Sequence, residues 1–294
     1  MEPIRHEQRK LANGVTLHVA SAGDPAAPLM LFLHGFPEFW MAWEAQLQHF
    51  GARFHAVAPD LRGFNLSDQP AEVAQYRPKL IMEDIRLLIE SCGAKQCVLV
   101  AHDWGGAIAW NIAAQLSHLV SKLIIINSPH PATFARDLAN DPAQIAASEY
   151  MNWLRRPGSD IALAADNFKL IENFLVGMSD ASSWFTPAVR AQYHACWARG
   201  LLGGTNYYRA SPLHPPTASE PGAKAITLPK EMVTVHVPTL VIWGEADQAL
   251  RTSLLVGLEE FVPNLRIERI AEGSHWIVHE QPERVSRLIG SFIA

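Results

Sequence analysis

Short, uninterrupted apolar runs alternate with helix-period stripes through the first part of this 294-residue chain. Residues 15–20 alternate as a half-buried strand does, after the turn signal Asn13-Gly14. Residues 29–33, 54–58, 97–101 and 123–126 are apolar almost throughout, the pattern of strands covered on both faces. Between them, residues 40–50 carry Trp43, Leu47 and Phe50 on one side of a helix. A second stripe, Leu80, Ile81, Ile85, Leu88 and Ile89, begins after Pro78 and ends at Gly93. Such alternation predicts an α/β protein, a mostly parallel sheet with helices on both faces.

The pattern changes at Ser128-Pro129-His130-Pro131. From there to about Ala225 only helical segments are predicted, among them 160–175 and 187–200, with Asp141-Pro142 as a cap and first-turn pair. Tryptophans 153, 184 and 197 and phenylalanines 168, 174 and 185 supply the apolar weight of this region. Residues 211–222, rich in Pro and Ser, read as a return linker. The α/β pattern then resumes with a strand at 237–243, a helix near 252–261, a strand near 265–270 and a final helix from Pro282. The expected organisation is a core of residues 1–128 and 226–294, interrupted by a helical cap of residues 129–225.

Composition narrows the class further. Apolar residues make up 49% of the chain and charged ones 18%, as in ordinary globular proteins. A net charge of -5 gives no basic footprint, so nucleic-acid binding is not expected. The first residues carry no apolar signal region and no run approaches membrane-spanning length, so no membrane association is expected. Three cysteines without metal-type spacing suit a reducing cytoplasm.

Residues 97–106 hold the most specific chemistry. An apolar run ends at Ala101, His102-Asp103-Trp104 follows, and Gly105-Gly106 open a helix-like segment. This is a strand–sharp turn–helix pattern, small-x-nucleophile-x-small, with Ala101 and Gly105 as the small flanks. Asp103 stands where a serine is common. A carboxylate there can displace a leaving group from saturated carbon, forming an alkyl ester that water must then hydrolyse. That second step needs a base and an oxyanion hole nearby. Asp is also a favoured helix cap, and the elbow alone leaves both roles open.

In open α/β sheets, ligands sit at the carboxyl ends of strands. His34-Gly35-Phe36, Asp103, Asp247 and His275 all fall at such ends, in the nucleophile–acid–histidine order of a hydrolase triad. His275 is suited to be a general base and Asp247 to orient it. Asn127, at the end of another strand, cannot supply a triad charge because it is an amide.

His34-Gly35-Phe36-Pro37-Glu38, Arg62-Gly63-Phe64, His102-Asp103-Trp104-Gly105-Gly106, Gly244-Glu245-Ala246-Asp247 and Gly273-Ser274-His275-Trp276 together resemble the epoxide-hydrolase branch of the α/β-hydrolases, over nearly the whole chain. The resemblance implies the α/β-hydrolase fold with an inserted cap. It implies Asp103 as nucleophile, His275 and Asp247 as base and acid, and the backbone N–H groups of Phe36 and Trp104 as the oxyanion hole. It further implies a cis Phe36-Pro37 bond, with Phe36 and Trp104 as pocket walls. Tyr150 and Tyr208 match the two cap tyrosines that assist the ring oxygen; Tyr207 reads as packing. A phenol suits that role because it is neutral at pH 7 and donates a hydrogen bond. The implied partners are a small apolar epoxide and water, with no cofactor and no metal, in a monomer or homodimer.

Two features read as structural. His275-x-x-x-His279 has metal-ligand spacing but lacks the following Glu and a third ligand, and His34 is taken as a hydrogen-bonder. Two other functions compete. A haloalkane or haloacid dehalogenase also uses an Asp nucleophile but needs halide donors, which Phe36 does not offer, and Trp104 stands where fluoroacetate dehalogenases carry Arg. A ligand receptor on the same fold would have no need for all three of Asp103, Asp247 and His275.

Overall fold

The computed structural model describes residues 3–177 and 182–294. One eight-stranded sheet organises it, built from β1 (Arg5–Lys10), β2 (Thr16–Ala22), β3 (Leu29–Leu33), β4 (His55–Pro59), β5 (Cys97–His102), β6 (Val120–Ile126), β7 (Thr239–Gly244) and β8 (Leu265–Ile270). The strand order is β1-β2-β4-β3-β5-β6-β7-β8. β2 pairs antiparallel with β1 and β4; the other pairings are parallel.

The central strands are apolar throughout because both faces are covered. Leu31, Leu99, Ile125 and Val241 point to one side, where α2 (Pro78–Ser91) and α3 (Asp103–Gln115) bury Ile81, Ile85, Ile108 and Ile112 against them. Met30, Val100, Ile124 and Leu240 point to the other, onto Leu47 and Phe50 of α1 (Glu44–Phe50) and Val285 and Ile289 of α12 (Pro282–Ile293). Each such buried side chain contributes about 1.5–3 kcal/mol. A one-residue slip would exchange the two faces of a strand, so the register is firmly held.

Between β6 and β7 the described residues form helices and tight turns and no strand. In order these helices are α4 (Pro131–Asn140), α5 (Pro142–Ala147), α6 (Glu149–Leu154), α7 (Ser159–Gly177), α8 (Pro187–Trp197), α9 (Leu202–Ala210) and α10 (Lys230–Val233). The short α11 (Ile277–Glu280) precedes α12.

Four local differences from the sequence reading have physical causes. β1 was not predicted: its residues are polar and mostly exposed, and its pairing with β2 from Arg5↔Ser21 to Lys10↔Thr16 holds it as a charged edge strand. The 40–50 helix begins with a 3₁₀ turn, Trp40–Trp43. The expected helix near 252–261 is two 3₁₀ turns, Thr252–Leu255 and Leu258–Glu260, parted by Gly257 at φ +78°. In α7 the chain is extended at Ala165 and left-handed at Asp166, Asn167 and Phe168, with φ of 49°, 54° and 66°. Asp and Asn tolerate this region, but it costs a bulky residue about 1–2 kcal/mol. Packing of the Phe168 ring against His194 and Trp197, at 5.0 and 5.8 Å between centroids, offsets that cost.

Candidate active site

Asp103 is the first residue of α3, directly after β5, and has a left-handed φ of 49°. That turn aims its carboxylate back toward the end of β3. Oδ1 accepts a hydrogen bond from the Phe36 backbone N–H at 2.8 Å, and no side chain caps the start of α3. The carboxylate thus faces the loop after β3 rather than serving its own helix. Close approach demands glycine here. A Cβ on Gly35 would stand 2.3 Å from Asp103 Oδ1, and one on Gly105 2.3 Å from the Leu33 carbonyl oxygen. The Phe36–Pro37 bond is cis.

His275 follows β8 and is brought beside Asp103. Its Nε2 lies 3.7 Å from Asp103 Oδ2, and its Nδ1 donates to Asp247 Oδ2 at 2.7 Å. Asp247, in the turn after β7, also receives the backbone N–H groups of Ala249 and Leu250 at 2.9 Å each. Burial alone would raise the Asp247 carboxyl, but the charge and hydrogen bond of His275 outweigh it and hold the group low. Burial would likewise lower His275; the Asp247 charge and hydrogen bond, then the Asp103 charge, outweigh it and lift the imidazole to about 9.

Tyr150 on α6 and Tyr208 on α9 face the same apolar cavity as Asp103. The cavity holds about 190 Å³ and is lined by Trp104, Ile108 and Met151 among others. The two phenol rings stand 6.2 Å apart, and Tyr208 packs edge-on to Trp104 at 5.0 Å and Phe36 at 5.5 Å. Burial pushes both phenols well above the ordinary tyrosine value, followed by the Asp103 charge for Tyr150 and by Tyr150 and then Asp103 for Tyr208, so both are neutral hydrogen-bond donors. Tyr207 points elsewhere, donating to the Arg62 carbonyl at 2.9 Å.

All seven side chains singled out in the sequence therefore converge. His34 is a hydrogen-bonder, with Nδ1 donating to the Gly35 carbonyl at 2.8 Å and Nε2 accepting from the Leu61 N–H at 3.0 Å. His279 bonds Glu38 and stacks on Trp184 at 4.2 Å. The described residues contain no cluster of metal-ligating side chains.

The parts played by two residues, Asn127 and Glu38, escaped sequence reasoning. Asn127 was set aside as an uncharged amide, yet its Nδ2 donates to Asp247 Oδ2 at 2.8 Å. Glu38 is fully buried under the site, accepting from His102 Nδ1 and the Tyr193 hydroxyl at 3.1 Å each. His102 in turn donates from Nε2 to the His275 carbonyl at 2.9 Å, tying the end of β5 to the loop after β8. The one signal in the sequence was Glu38's place beside His34-Gly35-Phe36-Pro37.

Known proteins resemble the chain over nearly its whole length. The family model described as alpha/beta hydrolase fold matches residues 28–282. The chain is 34% identical to mouse epoxide hydrolase 4 over 289 residues, covering 96% of this chain and 77% of that protein. It is also 34% identical to the AB hydrolase superfamily protein YfhM of Bacillus subtilis, covering 96% and 95%. A crystal structure of Bacillus megaterium epoxide hydrolase in complex with an inhibitor superimposes with a TM-score of 0.90 at 36% identity, covering 98% and 99%. Sheet order, elbow and sequence likeness together establish that the chain belongs to the α/β-hydrolase fold family.

Proposed function

We propose that this protein is an epoxide hydrolase that works through a covalent alkyl-enzyme ester, with residues 129–225 as its cap. One observation carries the reading: a carboxylate at the elbow, ion-paired to a histidine, facing one apolar cavity with two neutral phenols. A carboxylate nucleophile suits saturated carbon, and the phenols suit a leaving oxygen too basic to depart unaided.

Asp103 Oδ1 is engaged by the Phe36 N–H, so Oδ2 is the oxygen that attacks the ring carbon. The C–O bond of the epoxide breaks and its oxygen takes a proton from Tyr150 or Tyr208. In the resulting ester Oδ1 is the carbonyl oxygen, already held by one oxyanion donor, with the Trp104 N–H, in the first turn of α3 where backbone donors have no intrahelical acceptor, as the second. Alkylation removes the Asp103 charge that helps keep His275 protonated. The imidazole pKa falls, and His275 becomes the base that takes a proton from water as the water attacks the Asp103 carboxyl carbon. Asp247 orients the ring and stabilises the imidazolium. The proton that His275 releases on alkylation restores the phenol; His275 then takes one proton from the attacking water, and the water's second proton goes to the departing alkoxide as the Asp103 carboxylate re-forms. The cycle closes on a vicinal diol without net proton exchange.

Single-turnover reaction in heavy-oxygen water tests the covalent route. The first diol should carry no solvent oxygen, because its new hydroxyl comes from Asp103; solvent oxygen in that first product would rule the route out.

A further inference from the structure

The break in α7 redirects its second half and brings Phe174 over the site. The Phe174 ring stands 5.4 Å from Tyr150 and 6.5 Å from Phe36. Beyond these three rings lies a second cavity of about 400 Å³ between α6 and α7, lined by Trp153, Leu154, Leu163 and Leu170. Its wall is nearly all apolar and it reaches solvent beside Leu170, which is 44% exposed. Neither Asp103 nor Trp104 lines it. The cavity that does contain Asp103 runs the other way, along α3 past Trp104, Ile108 and Asn111. Tyr150 is common to both cavities, and Phe36 and Phe174 stand with it on the far side.

We propose that Phe174 is a specificity-determining residue that, with Phe36 and Tyr150, closes the Asp103 cavity off from the α6–α7 cavity. The favoured substrate is then an epoxide with one large apolar substituent lying along α3 and only hydrogen or a small group on the other ring carbon. This rests on the epoxide-hydrolase reading above. A bulky second substituent would have to pass three packed rings. The backbone that carries Phe174 is held in place, because α7 packs on α8 through Phe168 against His194 and Trp197 and through Glu172 with Arg190 and His194. Removing the Phe174 ring would join the cavities and give a second substituent apolar space.

Diol formation from styrene oxide, with one phenyl, and trans-stilbene oxide, with a phenyl on each carbon, tests this. The unaltered enzyme should favour styrene oxide by at least about tenfold in kcat/KM, and Phe174→Ala should raise kcat/KM on trans-stilbene oxide by at least about tenfold. Leu163→Phe in the unaltered enzyme fills the unused cavity and should change neither substrate; combined with Phe174→Ala it should abolish the gain. Equal rates on both epoxides in the unaltered enzyme would overturn the inference. So would no gain in a Phe174→Ala protein that still turns over styrene oxide, or a loss on styrene oxide from Leu163→Phe alone. No diol from any epoxide would instead overturn the parent reading, and this one with it.

Discussion

Asn127 Nδ2 donates to the same Asp247 oxygen, at 2.8 Å, that accepts His275 Nδ1 at 2.7 Å. The Asn127 side chain also accepts from the Gly244 N–H at 2.8 Å and donates to the Gly244 carbonyl at 3.1 Å, locking the ends of β6 and β7 together. A residue without charge thus fixes the residue that has it. Asn127→Ala should lower kcat by about tenfold, the scale of one lost hydrogen bond to a charged group. Asp247→Asn should cost more, about 10³–10⁴, and let the alkyl-enzyme accumulate as a burst. Equal losses from the two substitutions would mean that Asn127 does more than position Asp247.

On the proposed mechanism, removing one phenol leaves the other, 6.2 Å from it between ring centroids, to donate to the ring oxygen. Tyr150→Phe and Tyr208→Phe should each lower the alkylation rate by about 10², and the double variant by clearly more. Hydrolysis of an ester already formed should change little, which pre-steady-state kinetics can separate. Chloride release from chloroalkanes should be far slower than epoxide turnover. Equal rates would favour the dehalogenase reading.

The strands and the residues at their ends were legible for one reason. Strands buried on both faces must be written as continuous apolar runs, so β3, β5, β6 and β7 announce themselves, and a polar residue at such a run's end stands out. β1 had no such mark because its neighbours, rather than its own side chains, make it a strand. The Asn127–Asp247 contact depends on the pairing of β6 with β7 across more than 100 residues of intervening chain, which no local pattern encodes. The left-handed turn in α7 was hidden for a similar reason. Asp166-Asn167 permits it, but Phe168 adopts it only because α8 offers a place for its ring.

His275 connects the site to pH. Burial lowers it, while Asp247 and then Asp103 raise it, from 6.5 to about 9. Because the folded value is raised, the stability it contributes is complete below pH 6.5 and is lost as pH rises through about 9. Asp103→Asn removes one raising charge, so the imidazole should titrate lower by NMR and the loss of stability should begin at lower pH. In the alkyl-enzyme the same charge is absent, so hydrolysis should rise with pH through a value below 9 and then level off. An unmoved titration in the Asp103→Asn protein would disprove the electrostatic link.

His130, between the end of β6 and α4, is one group that couples stability to acid. Its Nε2 donates to the Val233 carbonyl at 2.8 Å while Nδ1 accepts the Ala132 N–H at 3.3 Å, capping α4. Only a neutral ring can make both bonds. Burial, partly offset by the Val233 bond, lowers its pKa from 6.5 to about 4. The unfolded chain therefore binds a proton that the folded one refuses, and stability falls between those two values as pH drops. The loss amounts to roughly 3 kcal/mol. His130→Asn keeps a good cap but no titrating group, at a cost near neutrality of about 1 kcal/mol for the lost Val233 bond. Denaturant midpoints from pH 7 to pH 4 should therefore fall less steeply in that protein than in the unaltered one. Parallel curves would place the acid sensitivity elsewhere.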